Sequence, residues 1–126
     1  MSRAVLLFGH GSRDPSWRAP MDAVAARIRQ QQPEVPVACA FLELQEPDLA
    51  MAIEGLVTQG ATRVAVVPMF LGIGKHARED LPRLLAAARE RHPQVSIEAS
   101  AAVGERTEVL DLLASLALQQ PESSLA

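Results

Sequence analysis

Three short runs, "AVLLFG" (4–9), "PVACAFL" (36–42) and "RVAVVPMF" (63–70), carry apolar residues at odd and even positions alike. A strand of that kind has no face to offer water. It fits a parallel sheet covered by helices on both sides. A fourth run, "VSIEAS" (95–100), alternates instead, with Val95, Ile97 and Ala99 against Ser96, Glu98 and Ser100. That pattern suits an edge strand with one wet face.

The segments between and after these runs have helical period. Met21, Val24, Ala25 and Ile28 fall at i, i+3, i+4 and i+7, and so do Leu49, Ala52, Ile53 and Leu56. Leu81, Leu84, Leu85 and Ala88 repeat the stripe, as do Val109, Leu112, Leu113 and Leu116. Each marks a one-sided amphipathic helix. The order is β-α-β-α-β-α-β-α, and right-handed crossovers turn it into a doubly wound, four-stranded parallel α/β sheet of order 2-1-3-4, with helices on both faces. Pro47 marks a helix start, and Gly60, Pro93 and Gly104 mark junctions. Pro82 belongs in a first helical turn, so the third helix is expected to start near Asp80 as its N-cap, leaving 71–79 as a long loop or distorted first turn.

At 126 residues, the expectation is one domain over 1–120 with a frayed tail over 121–126. The formal charge of −3 gives no general drive toward nucleic acid or an anionic membrane. Cys39 is the only cysteine, which excludes an internal disulfide and a Cys-rich metal site. No apolar run approaches a membrane span, and Ala4 to Phe8 is too short for a signal-peptide core. A cytoplasmic location is therefore expected.

In an open α/β sheet, ligands bind beyond the carboxyl ends of the strands. His10 follows the first strand, Glu43 the second, and His76 lies in the loop after the third. Their separations are 33 and 33 residues, one βα unit each, which places all three on one sheet edge with His10 in the middle. Two imidazoles and a carboxylate suit a divalent first-row metal with open coordination positions. The same trio suits proton transfer, because histidine exchanges protons near neutral pH. Gly9 and Gly11 permit a backbone that exposes the His10 side chain. Ordinary uses exist for each: a polar strand end for His10, a helix-dipole partner for Glu43, a solvated loop for His76. His92, before Pro93, is assigned a helix-dipole or solvent role.

With those residues in view, the sequence resembles the small sirohydrochlorin chelatases of the CbiX type, in the class II chelatase superfamily. The stretches that carry the resemblance are "LLFGHGSRDP" (6–15), "AFLELQEPDLAMAI" (40–53) and "VVPMFLGIGKHAREDLPRLL" (66–85). The resemblance implies a flavodoxin-like half-chelatase that inserts a divalent metal into sirohydrochlorin, Co2+ foremost with Ni2+ and Fe2+ as alternatives. It implies that His10 and His76 bind the incoming metal with Glu43 nearby. It also implies no ATP, no permanently bound cofactor, and a homodimer whose two domains enclose the cleft. The substrate is a polycarboxylate, so Arg13, Lys75 and Arg78 are its expected partners. Ser12 either bonds within its turn or touches substrate. Met69, Phe70, Leu71 and Ile73 form a flat apolar wall, a dimer contact, or core. Two other readings stand beside the chelatase: a metal or tetrapyrrole carrier without turnover, and a phosphoryl carrier using His10.

Overall fold

The computed structural model describes residues 2–119. The chain runs β1 (Arg3–Gly9), a 3-10 turn (Pro15–Arg18), α1 (Ala19–Gln31), β2 (Val37–Phe41), α2 (Leu49–Thr58) and β3 (Arg63–Pro68). It continues through α3 (Lys75–Arg91), β4 (Ser96–Ala99), a second 3-10 turn (Val103–Glu105) and α4 (Thr107–Leu118). The strands form one all-parallel sheet in the order β2-β1-β3-β4, as the right-handed crossover rule leads one to expect. The tail expected over 121–126 lies outside the described residues. No helix among the described residues is long and apolar enough to cross a membrane.

Side-chain alternation along the strands divides the core into two layers. On one face Ala4, Leu6, Phe8, Ala40, Val64, Val66 and Ile97 meet Leu49, Ile53 and Leu56 of α2 and Leu81 and Leu85 of α3. On the other, Leu7, Cys39 and Phe41 meet Met21 and Ala25 of α1. Each fully buried leucine or phenylalanine contributes about 1.5–3 kcal/mol from leaving water. β4 behaves as an edge strand should, with Ile97 buried and Ser96 and Glu98 exposed.

Three expectations are corrected. First, α3 begins at Lys75 rather than near Asp80, with Gly74 as its N-cap, and Pro82 sits inside it. Ala77 is buried on the same side as Leu81 and Leu85, so packing holds the first turns helical although Pro82 has no N–H to give the Arg78 carbonyl. Asp80 is therefore mid-helix, where it pairs with Arg83 at 3.0 Å. Second, β3 is not covered on both faces: Ala65 is exposed and Val67 half-buried. Third, the α4 stripe is not buried, and no residue of that helix is. The second and third corrections share a cause, since α1 lies over β1 and β2 while α4 packs mainly on the turn before it. The β3 side of that face has no helix of its own.

Candidate active site

Parallel pairing sets the site. In register, Gly9 lies opposite Phe41 and Phe8 opposite Pro68. The ladder continues past the strand ends: the Leu42 N–H donates to the Gly9 carbonyl at 2.9 Å and the Glu43 N–H to the His10 carbonyl at 3.1 Å. The loops after β1 and β2 thus leave the sheet zipped together. His10 Nε2 stands 3.9 Å from Glu43 Oε1, each side chain about half exposed.

Two further devices hold that geometry. Gly11 has φ of 102°, and a Cβ there would collide with the Glu43 carbonyl oxygen. Only glycine takes both the left-handed backbone and the close approach without strain. Gln45 then spans the loops, its Oε1 accepting from the Ser12 N–H at 3.1 Å. Leu44, between Glu43 and Gln45, has φ of 69°, a conformation that costs a non-glycine residue about 1 kcal/mol or more. Strain of this kind persists where surrounding bonds over-determine the backbone. Beneath the loops, Trp17 packs edge-on to Phe41 at 6.3 Å and the Arg18 guanidinium lies 4.9 Å from that ring's centre.

His76 enters from the other side. It lies in the first turn of α3, not in a loop, and with His10, Phe70, Gly72, Gly74, Lys75 and Ala77 it lines a cleft of about 260 Å3. Phe70 forms the apolar floor, its ring edge-on to Phe8 at 6.1 Å. The structure therefore brings His10 against Glu43 on one side and into a common cleft with His76 on the other. Among the described residues, no three His, Cys, Asp or Glu side chains are gathered closely enough to hold a metal ion by themselves. The site is an open one, with a histidine–carboxylate pair and a second imidazole across the cleft.

The expected substrate contacts are distributed unevenly. Lys75 lines the cleft, whereas Arg13 and Arg78 are exposed and do not line it. Arg78 also donates to the Ile73 carbonyl at 3.1 Å. Ser12 is used within its turn: its Oγ accepts from the Asp14 N–H at 3.0 Å. Asp14 in turn caps the 3-10 turn, and the Ser16 hydroxyl and amide hold its carboxyl below the usual carboxylate range. Of the apolar run after β3, Phe70 lines the cleft, Leu71 is exposed, and Met69 packs toward the α1 layer. His92 is not solvated. It is buried at the end of α3, with Nε2 3.1 Å from Glu54 Oε2. Sequence reasoning missed Gln45, because a glutamine in a loop carries no periodic signal.

The profile of the CbiX family matches residues 4–120. The chain belongs to the CbiX family. It is 39% identical over 82 residues to the sirohydrochlorin cobaltochelatase of Methanosarcina barkeri, covering 65% of this chain and 63% of that protein. It is 36% identical over 114 residues to the sirohydrochlorin ferrochelatase of Bacillus subtilis, covering 87% of this chain and 42% of that protein. The chain thus spans less than two-thirds of either curated relative. The crystal structure of a CbiX protein from Marinobacter aquaeolei VT8 superposes with a TM-score of 0.78 at 26% identity, covering 91% of this chain and 93% of that one.

Proposed function

We propose that this CbiX-family chain inserts a divalent metal, Co2+ first among Co2+, Fe2+ and Ni2+, into sirohydrochlorin. It works as a single α/β domain over 1–120, in the cytoplasm and as a homodimer. The observation that carries the reading is the shared cleft of His10 and His76 at the carboxyl edge of the sheet, with Glu43 3.9 Å from His10. Relatives named as cobaltochelatase and ferrochelatase support the reaction class and leave the choice of metal to experiment. A free, buried Cys39 suits a reducing compartment.

Insertion exchanges two pyrrole N–H protons for one M2+. The ion must lose water, be held loosely, and pass to the ring nitrogens as the protons leave. Imidazoles hold such an ion without the grip of thiolates, and an open site leaves positions for the incoming ring. His10 and His76 present the metal, and Glu43 orients His10 or accepts a proton beside it. The metal is substrate, and no resident cofactor is invoked. Lys75, Arg13 and Arg78 meet the carboxylates of the macrocycle, with Ser12 at the same rim. Phe70 and the exposed Leu71 and Leu44 offer it an apolar surface. A cleft of about 260 Å3 falls below the roughly 300–1,000 Å3 of enclosing ligand sites, which supports a second wall from a partner copy. A phosphoryl group on His10 would face the Glu43 carboxylate, so that reading is not retained.

The test is Co2+ insertion into sirohydrochlorin, followed by the visible spectrum against a protein-free control. The wild type is expected to accelerate it catalytically. His10→Ala and His76→Ala, shown folded by circular dichroism, are expected to lose at least tenfold in rate. Stoichiometric metal binding with no acceleration would make the protein a carrier. Full activity in either variant would remove that histidine from the mechanism.

A further inference from the structure

Gly11 and Gly104 are required by the fold, since a Cβ at either would collide with a neighbouring backbone. Gly72 and Gly74 are not. A Cβ built on either meets nothing within 4 Å among the described residues, its chain neighbours aside, and neither has a positive φ. Gly74, at φ −73° and ψ 169°, holds an extended backbone that any residue adopts. It is also the N-cap of α3, with no side-chain bond to the helix. Serine, aspartate or asparagine at that position would satisfy a free N–H. By local rules both positions favour another residue, because glycine loses more freedom on folding than any other.

Movement is the usual alternative use of glycine, and this segment is held. The Phe70 carbonyl accepts from the Gly104 N–H at 2.9 Å, and the Leu71 backbone lies hard against Gly104. The Ile73 carbonyl accepts from the Arg78 guanidinium at 3.1 Å, and the Gly74 carbonyl from the Arg78 N–H at 2.9 Å. The chain on both sides of Gly72 is thus tied down, to the turn before α4 and to α3. What remains is the space in front of the two glycines. Both are exposed and line the cleft that His10 and His76 share. With the buried Ala77 they make much of that lining bare backbone, while His10, Phe70, Lys75 and His76 supply its larger side chains.

We infer that Gly72 and Gly74 determine what the cleft admits: their bare backbone is a wall on which the edge of the tetrapyrrole rests, and a side chain there holds the ring off the two histidines. The inference rests on the proposed action on sirohydrochlorin. A carbon–carbon bond adds about 1.5 Å to the wall, and a displacement of about 1 Å at a reacting centre can cost 100-fold in rate. A cleft of about 260 Å3 has little room to give up. The two glycines therefore trade a little stability for the shape of the site, as binding sites commonly do.

The test compares Gly72→Ala, Gly72→Val and Gly74→Ser with wild type and with Gly55→Ala, a control inside α2 that has equal space and no place in the cleft. Sirohydrochlorin is titrated without metal, Co2+ is titrated without sirohydrochlorin, and Tm is measured for each protein. Gly72→Ala and Gly74→Ser are expected to melt at or up to roughly 5 °C above wild type. Their Kd for sirohydrochlorin should rise at least tenfold, and further in Gly72→Val. Their Kd for Co2+ alone should stay within twofold of wild type, as should both constants in Gly55→Ala. Unchanged affinity for sirohydrochlorin in all three cleft variants would overturn the inference. So would a fall in Tm for Gly72→Ala and Gly74→Ser, which would make the glycines a requirement of the fold. Parallel loss of Co2+ affinity would mean displaced histidines, and slowed insertion at unchanged affinity would mean a hinge; either result overturns it. A wild type that does not bind sirohydrochlorin removes the proposed function together with the inference. A wild type that binds the ring without inserting metal, with the expected losses in the variants, removes the chelatase reading and leaves the wall standing.

Discussion

Gly11 separates the zipped-loop account of the site from a merely surface-exposed His10. In Gly11→Ala, the new Cβ meets the Glu43 carbonyl oxygen at a backbone φ of 102°. Holding a non-glycine residue in that region costs roughly 1–3 kcal/mol. Relieving the collision requires the loops to part, which gives up the 3.1 Å bond from the Glu43 N–H to the His10 carbonyl, about 1 kcal/mol more. The total of about 2–4 kcal/mol is less than the 5–15 kcal/mol stability of typical domains. The variant should therefore fold, with a Tm lower by roughly 10 °C or more. Separation of the loops moves His10 away from Glu43, and a misplacement of about 1 Å can cost 100-fold in rate. Metal insertion should slow at least tenfold while circular dichroism at 20 °C is unchanged. Gly55→Ala is the control: it lies inside α2 with nothing within 4 Å of the added Cβ, so it should gain about 0.5–1 kcal/mol. If Gly11→Ala melts like Gly55→Ala and inserts metal at the wild-type rate, the zipper does not position the site.

Glu43→Gln keeps shape but loses the charge beside His10, so slower insertion is expected with a Tm within a degree or two of wild type; a large loss of stability at full rate would make Glu43 a structural residue. Glu54→Ala removes the partner of the buried His92 at 3.1 Å and should cost about 1–3 kcal/mol in urea unfolding while leaving insertion unchanged, since neither residue lines the cleft; a slowed reaction at full stability would contradict this. Burial pushes the Cys39 thiol above its ordinary range, with Asp22 adding to the shift and Arg18 and Arg29 opposing it. The folded chain then holds that proton more tightly than the unfolded one, so stability should fall as pH rises through and above the ordinary thiol range; urea titrations at pH 8 and 10 on wild type and Cys39→Ala read this, and equal declines in both would refute it.

Much of the fold was legible because its signals are local. Apolar runs of strand length and stripes at helical spacing report which side of each element is dry, and chirality limits how parallel strands connect. That was enough for the order β2-β1-β3-β4 and for putting His10, Glu43 and His76 on one edge. It was not enough for Pro82. Its local preference argued for a helix starting near Asp80, but burial of Ala77 and Leu81 on one face holds the turns before it. Nor could it reveal Gln45, which acts between residues 33 positions apart.

α4 marks the boundary between the two kinds of information. Spacing along the chain is enough to make Val109, Leu112, Leu113 and Leu116 one apolar stripe, because helical period depends on the chain's own geometry. Which surface lies opposite depends on where the turn before α4 is held, its Gly104 N–H donating to the Phe70 carbonyl at 2.9 Å, and on how far α1 reaches across the sheet. The same holds at the site: the sequence determined the residue types and the edge. The 3.9 Å approach of His10 to Glu43 and the cleft shared with His76 come from strand register and a positive-φ glycine. Those are relations between segments far apart in the chain, and no local pattern of residues encodes them.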